Sequence, residues 1–486
     1  MPLIDLLKRR PPRRAVLAAA VAAGAGSAGL GFLTGLNRHP VGNGYGAAAW
    51  HSPLHTERGR LAHLLRRATF GVSQQTLEQG LRDGLDRTVD RLLEQSAEPP
   101  GLVSTADPAQ GSTLGLDVLQ RWWLRHMLST PAPFAERMTL FWHGHFTTEY
   151  AKVGYGSPFI YWQNLTWRRL RLARLGPMLR KVTIDPAMLQ YLDLDGSDAS
   201  DPDQPPNENY ARELMELFTM GPGAYSEADV KAAARALAGW SSPPSESTVE
   251  VVVDEQTQAK EPVDVWSTPR PGFFNLGAAY AGNVTYLGRT GQLGLDQVID
   301  QILARPATAP FLVRKLWHHF SSPAPSRGTV RRLADAFRTA DYDLGVLMGS
   351  LLRSPEFFAP DSYRALVRSP VEFMVAAALA VGADPDAAAE LIADYGEPAG
   401  QALFQPPNVG GWPGGARWIS PGPMLARFNF VSALLDQVGA PASAENAADL
   451  HLDGVLSAAT ALRLHRASSD RERWLVVLTS PEFNLK

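Results

Sequence analysis

Leu61-Ala62-His63-Leu64-Leu65-Arg66-Arg67-Ala68 places apolar side chains at positions 61, 64, 65 and 68, the three- and four-residue spacing of one helix face. Leu81, Leu85, Val89 and Leu92 continue the same period. Comparable stretches lie near 116–129, 134–143, 157–171, 207–220, 226–239, 295–304, 308–320, 329–340, 369–381 and 423–436. The pattern predicts a mainly α protein, a multi-helix globular domain over residues 50–486. One segment breaks the period. Thr248-Val249-Glu250-Val251-Val252-Val253 and Pro262-Val263-Asp264-Val265-Trp266 are short Val-rich runs, and they predict a small β-hairpin inserted near 248–267.

The first 49 residues have a different character. Lys8, Arg9, Arg10, Arg13 and Arg14 precede an uncharged Ala/Gly-rich run from Ala15 to Leu36, and Ala47-Ala48-Ala49 stands before Trp50. Basic, then apolar, then small and polar is the order of an export signal. Arg13-Arg14-Ala15-Val16-Leu17 resembles the core of a twin-arginine signal, so the chain is expected to be exported to the periplasm or outside the cell. The alternative is an uncleaved anchor, the one membrane contact the sequence suggests. Gly24, Gly26 and Gly29 form G-x-G-x-x-G inside this run, but no strand precedes them and dinucleotide binding is not indicated.

The leader holds six of the 46 basic residues and one of the 49 acidic ones, which leaves 40 against 48. An acidic remainder argues against a nucleic-acid surface, which needs clustered positive charge. The chain has no cysteine, so disulfides, thiolate metal sites and cysteine nucleophiles are excluded together. Any metal must be held by His, Asp or Glu.

Leu352-Arg353-Ser354-Pro355-Glu356-Phe357 returns as Leu478-Thr479-Ser480-Pro481-Glu482-Phe483. Ser before Pro with Glu behind it is a helix-capping sequence, and a capping turn used twice accounts for the recurrence.

Chemistry concentrates in three segments. In Asn207-Glu208-Asn209-Tyr210-Ala211-Arg212-Glu213-Leu214-Met215-Glu216-Leu217-Phe218, helical spacing buries Tyr210, Leu214, Leu217 and Phe218 and lines Asn209, Glu213 and Glu216 along one flank. Glu208, Arg212 and Glu216 sit one turn apart, so an ion-pair ladder is the plain reading and a functional surface the sharper one. In Phe141-Trp142-His143-Gly144-His145-Phe146, Gly144 is placed to end a helix and let His143 and His145 converge on a divalent metal, with Glu213 or Glu216 as ligand or general base. A helix terminus with one capping and one packed histidine is the other reading. In Gln405-Pro406-Pro407-Asn408-Val409-Gly410-Gly411-Trp412, a rigid-then-permissive loop presents Asn408 and Trp412 either as a binding wall or as a buttress between helices. The acidic loop Asp193–Asp203 departs from the calcium-loop register at Asp198, and a solvated turn explains it.

His63-Leu64-Leu65-Arg66-Arg67-Ala68-Thr69-Phe70-Gly71, the Phe141–Phe146 block and Asn207–Phe218 together resemble the bacterial family known as domain of unknown function 1800. Tyr225–Val230, Ala238-Gly239-Trp240, Gln405–Trp412 and the terminal Ser-Pro-Glu-Phe extend the resemblance from about Leu61 to Lys486. It implies export, a helical fold and an exported partner resembling the alkaline phosphatase and sulfatase group. Arg66, Asn207, Glu208, Asn209, Arg212, Asn408 and Trp412 form the expected binding set. One departure falls at Ala278–Gly288, where alanine and tyrosine replace a His-Asp stretch usual in the family. Two functions follow as expectations: a binding or assembly role in the cell envelope, and a metal-assisted hydrolase. No G-x-S-x-G or H-E-x-x-H motif is present to strengthen the second.

Overall fold

The computed structural model describes residues 52–102, 114–154, 158–201, 203–244, 248–254, 259–264, 269–322, 324–439 and 443–486. The leader at 1–49 lies outside the described residues, as do Val265 and Trp266 of the second Val-rich run. The described chain is mainly α, with 21 α-helices. They are α1 (Glu57–Ala68), α2 (Gln74–Asp83), α3 (Leu85–Glu94), α4 (Leu116–Ser129), α5 (Pro133–His145), α6 (Tyr150–Val153), α7 (Phe159–Leu170), α8 (Leu175–Thr183), α9 (Pro186–Tyr191), α10 (Asn209–Glu213) and α11 (Glu227–Leu237). The second half holds α12 (Leu295–Ala304), α13 (Thr308–Phe320), α14 (Arg327–Thr339), α15 (Leu344–Leu352), α16 (Pro370–Val381), α17 (Pro385–Gly396), α18 (Pro421–Val438), α19 (Ala447–His451), α20 (Ala458–Arg466) and α21 (Asp470–Thr479). Among the described residues no helix is long and apolar enough to cross a membrane.

Helix starts follow local chemistry. Proline opens α5, α9, α16, α17 and α18, where its missing N–H costs no helical bond. Ser226 and Asp229 at α11, and Ser369 and Glu372 at α16, form reciprocal capping boxes.

The expected hairpin is β2 (Thr248–Asp254) antiparallel to β3 (Ala259–Asp264). Two smaller pairs flank it: β1 (Trp240–Ser241) with β4 (Phe273–Phe274), and β5 (Val284–Tyr286) with β6 (Arg289–Gly291). These strands sit between α11 and α12, so the β content is an excursion on a helical body.

One hydrophobic cluster runs from Leu64 on α1 to Phe483 near the end of the chain. Trp123, Trp142, Trp162, Trp167 and Trp317 are fully buried in it. Helix α5 passes through the middle, and its buried face carries charge as well as apolar groups: Glu136, Arg137, His143 and His145 are all under a tenth exposed. Burial pushes the Glu136 carboxyl up, but Arg168 overcomes it through bonds of 2.6 and 2.9 Å and holds the group down to about 2.

The recurring Ser-Pro-Glu-Phe is more than a capping turn. Each copy ends a helix pair, α14–α15 or α20–α21, whose first helix is capped by a serine with threonine three residues on: Ser326 with Thr329, and Ser457 with Thr460. In each copy the motif serine donates to a carbonyl three residues back, Ser354 to Leu351 at 2.8 Å and Ser480 to Val477 at 2.7 Å. Its glutamate then reaches the start of the first helix: Glu356 accepts from Thr329 at 3.2 Å, and Glu482 from Thr460 at 2.9 Å and Ser457 N–H at 2.7 Å. The chain uses one helix-pair unit twice.

Candidate functional site

The polar motif after Pro206 opens on an Asx turn: Asn207 Oδ1 accepts the Asn209 N–H at 2.8 Å, and Asn207 N–H donates to Ser197 Oγ at 3.2 Å. Helix α10 then runs to Glu213, and from Leu214 to Thr219 the helix widens to the π form. Thr219 Oγ1 donates back five residues to the Leu214 carbonyl at 2.6 Å, and Met220 N–H to Met215 at 2.9 Å. Such widened turns re-aim side chains. Here Glu208 and Arg212 pair at 3.3 Å as the ladder predicts, but Arg212 turns to Glu227 at 2.6 and 2.8 Å instead of to Glu216. Glu216 accepts the Tyr225 hydroxyl. Glu213 is half-buried, and burial, with Glu216 behind it, raises its carboxyl above the usual range.

Asn209 gives its amide to Asp193 Oδ2 at 2.9 Å, while Lys152 pairs with Asp193 Oδ1 at 2.9 Å. Asp193 holds a left-handed backbone, φ 58°, a strained conformation for a residue with a Cβ. Asp195 accepts Ser242 N–H at 2.7 Å and Ser242 Oγ at 2.6 Å. Lys152, Gln190, Asp193, Asp195, Gly196, Ser197 and Asn207 thereby line an open polar basin of about 560 Å³. The acidic loop beyond it is a solvated turn, with Asp198 capping Ser200 at 2.7 Å and Asp201 capping Asp203 at 2.9 Å.

An apolar ridge adjoins the basin. Phe273, Phe274 and Leu276 are 52, 46 and 80% exposed, on and after β4. The ridge is laced to the basin by main-chain bonds: Gly196 N–H to Trp240 O at 3.1 Å, Gly239 N–H to Ser197 O at 2.8 Å and Asn275 N–H to Gly239 O at 2.7 Å.

The two histidines do not converge. Helix α5 continues through Gly144 to His145, so the side chains point to opposite sides, and each is engaged. His143 Nε2 accepts the Phe404 N–H at 3.1 Å, with its ring 5.1 Å from Trp412. His145 Nε2 donates to the Phe218 carbonyl at 3.0 Å, with its ring stacked on Phe141. Burial drives both imidazoles down to about 3, and Lys315 adds to the effect at His145. Among the described residues no group of three or more His, Cys, Asp or Glu is placed to hold one metal.

The binding set is likewise dispersed. Arg66 is buried against Asp453, Nη1 to Oδ2 at 2.8 Å, on α1 and away from the Asn207 turn. Trp412 is half-buried against His143, so the proline-glycine loop is a buttress on that side. Gly411 lies against the Gly144 carbonyl, where a Cβ would come within 2.6 Å. Asn408 is exposed and caps its own turn at Gly410 N–H, 2.9 Å.

The three motif segments therefore meet at the C-terminal end of α5. His143 fastens the loop after Leu403, and His145 fastens the π turn. On α1, His63 Nε2 donates to the Phe357 carbonyl at 3.1 Å, joining that helix to the first Ser-Pro-Glu-Phe. The profile of one family, protein of unknown function (DUF1800), matches residues 63–485. The chain belongs to DUF1800. No curated protein and no solved structure matches it significantly. The blocks that carry the DUF1800 resemblance are thus the places where distant parts of the chain are clamped together. At the family departure, Tyr280 stacks under the Arg235 guanidinium at 5.4 Å, and Leu287 N–H donates to Asp229 at 2.8 Å.

Lys152, Gln190 and the Phe273–Leu276 ridge are surface features that helical periodicity does not single out. The adjacent exposed aromatics at 273 and 274, outside any periodic run, are the signal that marks the ridge.

Proposed function

We propose that this DUF1800 chain is an exported binding or assembly protein of the cell envelope, which holds a protein partner on the basin and the adjoining ridge. The observation that carries the reading is the exposure of Phe273, Phe274 and Leu276 beside a polar, acidic rim. Apolar side chains grouped at the surface and rimmed by polar ones are the composition of a docking site. Exposed Asp195, Asp198, Asp201 and Asp203 set the complement: a partner presenting an apolar knob flanked by lysine or arginine. The exported partner that the family resemblance implies, similar to the alkaline phosphatase and sulfatase group, is the first to test. The basic-then-apolar leader supports export. Metal-assisted hydrolysis draws no support from histidines whose Nε2 atoms are already engaged in the core.

The test is co-purification from the envelope fraction of cells making the full chain, beside a Phe273→Ser/Phe274→Ser/Leu276→Ser variant. Leu276 faces solvent and the two phenylalanines are about half exposed, with Phe274 5.2 Å from Trp240, so the variant is expected to fold with at most a small drop in melting temperature. The expected result is one stoichiometric partner, retained by the wild type and lost by the variant. Equal recovery in both, or a chain that stays in the cytoplasm, sinks the proposal.

A further inference from the structure

Five basic side chains lie around a single glutamate inside the molecule. Arg67, Arg137, Arg368, Arg427 and Lys486 are each 5% exposed or less, and Glu372 is 4% exposed. Their positions interlock: Arg137 and Lys486 both bind Glu372 Oε1, the latter at 2.6 Å, while Oε2 takes the Ser369 N–H at 2.9 Å. Arg427 donates to the Arg368 carbonyl at 2.8 Å and to Asn484 Oδ1 at 2.9 Å, and Arg67 to the Ser362 carbonyl.

Glu372 is thereby fully subscribed by two cations and its own cap, with nothing left for Arg67, Arg368 or Arg427. Five guanidinium nitrogens of this cluster have no hydrogen-bond partner among the described residues: Nε and Nη1 of Arg67, Nε of Arg137, Nη1 of Arg368 and Nε of Arg427. Aromatic faces offset part of the charge, with Phe483 4.5 Å from Arg368 and Phe373 4.9 Å from Arg427. A ring quadrupole covers the guanidinium plane, whereas the orphaned N–H groups project from its edge. Burial lowers Arg67, Arg368 and Arg427 to about 9, which leaves all three charged at neutral pH, and it holds the Lys486 amine well below its ordinary value, so the charge excess rests on the guanidinium groups. A water molecule would satisfy a donor but leave the charge excess untouched.

We propose that the Arg67–Arg368 cluster binds a small monovalent inorganic anion, of the class of chloride, as a built-in counter-ion. It accepts the orphaned N–H groups and supplies the negative charge that Glu372 alone does not. This site is independent of the docking surface and stands or falls separately.

The deciding experiment uses crystals of the full chain grown in sodium bromide, with anomalous scattering at the bromine edge. The expected result is a bromide peak against the edges of Arg67 and Arg368; its absence overturns the proposal. A second readout is the melting temperature at constant ionic strength, in chloride and in gluconate, a far bulkier monovalent anion. Wild type is expected to melt higher as chloride rises. Arg368→Met is expected to lose that dependence, and if this variant does not fold, the bromide map of the wild type still decides.

Discussion

His143 on α5 and Phe404, 261 residues further on, are joined by one hydrogen bond: the Phe404 N–H points at His143 Nε2, 3.1 Å away. The imidazole accepts this bond only when neutral, and Trp123, Phe404 and Trp412 pack around it.

His143→Ala is therefore expected to destabilise the fold, since it orphans a buried N–H, at about 1–3 kcal/mol, and opens a cavity as well. His145→Ala does the same to the Phe218 carbonyl. Denaturant titration measures both. Metal analysis of the wild type purified after export is expected to give far less than one equivalent. Stoichiometric metal that the double variant loses would instead restore the metal-hydrolase reading.

Buried neutral histidines make the fold acid-labile. His143, His145 and His451 are held at about 3 against 6.5 in the unfolded chain, and His63 and His319 also lie well below 6.5. Their folded values are depressed, so the unfolded state binds more protons, and stability is full above pH 6.5 and falls as pH drops toward 3. Each contributes about 1.4 kcal/mol per pH unit in that window. Asp185 acts in the opposite sense: burial raises it from 3.8 to about 7, so its contribution is full below pH 3.8 and disappears as pH rises through 7. The urea midpoint is expected to be lower at about pH 5 than at about pH 7.5. Asp185→Asn is expected to raise it at about pH 8; an unchanged or lower midpoint there contradicts the assignment.

Two glycines of one loop should respond differently to a methyl group. Gly411 has φ +79° and a Cβ there meets the Gly144 carbonyl, so Gly411→Ala is expected to cost more than about 1 kcal/mol. Gly414 has φ −88° and open space around it, so Gly414→Ala is expected to stay within about 0.5 kcal/mol of wild type. Equal melting temperatures would mean that the loop is not seated on α5.

The two Ser-Pro-Glu-Phe copies differ in burial. Glu482 is 2% exposed, and Glu482→Ala leaves the Ser457 N–H and Thr460 hydroxyl unmatched, a loss of about 1–3 kcal/mol. Glu356 shares its carboxylate with exposed Arg332, and Glu356→Ala is expected to cost less than about 1 kcal/mol. Thermal melts of the two variants side by side give the ranking.

Helices with one apolar face were legible in the sequence. The stretches at 116–129, 295–304 and 308–320 coincide with α4, α12 and α13, because burial on one side leaves a 3.6-residue period. Helix α15, Leu344–Leu352, was not singled out, since a segment apolar on nearly every side shows no period. Alanine-rich α17 was missed for want of contrast between its faces. The π turn at Leu214 was also invisible, and with it the turn of Arg212 toward Glu227. At the site, the short-range elements were readable: the Glu208–Arg212 pair and the solvated acidic loop. Pairings such as His143 with Phe404, Arg66 with Asp453 and Asn209 with Asp193 depend on tertiary packing, and no local pattern encodes them.

The last described residues are woven into the middle of the chain. Lys486 N–H donates to the Leu366 carbonyl at 2.8 Å, Arg368 N–H to Asn484 at 2.9 Å, and Lys486 Nζ reaches Glu372. A ribosome must therefore release residue 486 before α16 has its final neighbours. Until that residue has emerged, the faces that will close around Glu372 remain uncovered, so this part of the fold closes after synthesis rather than during it.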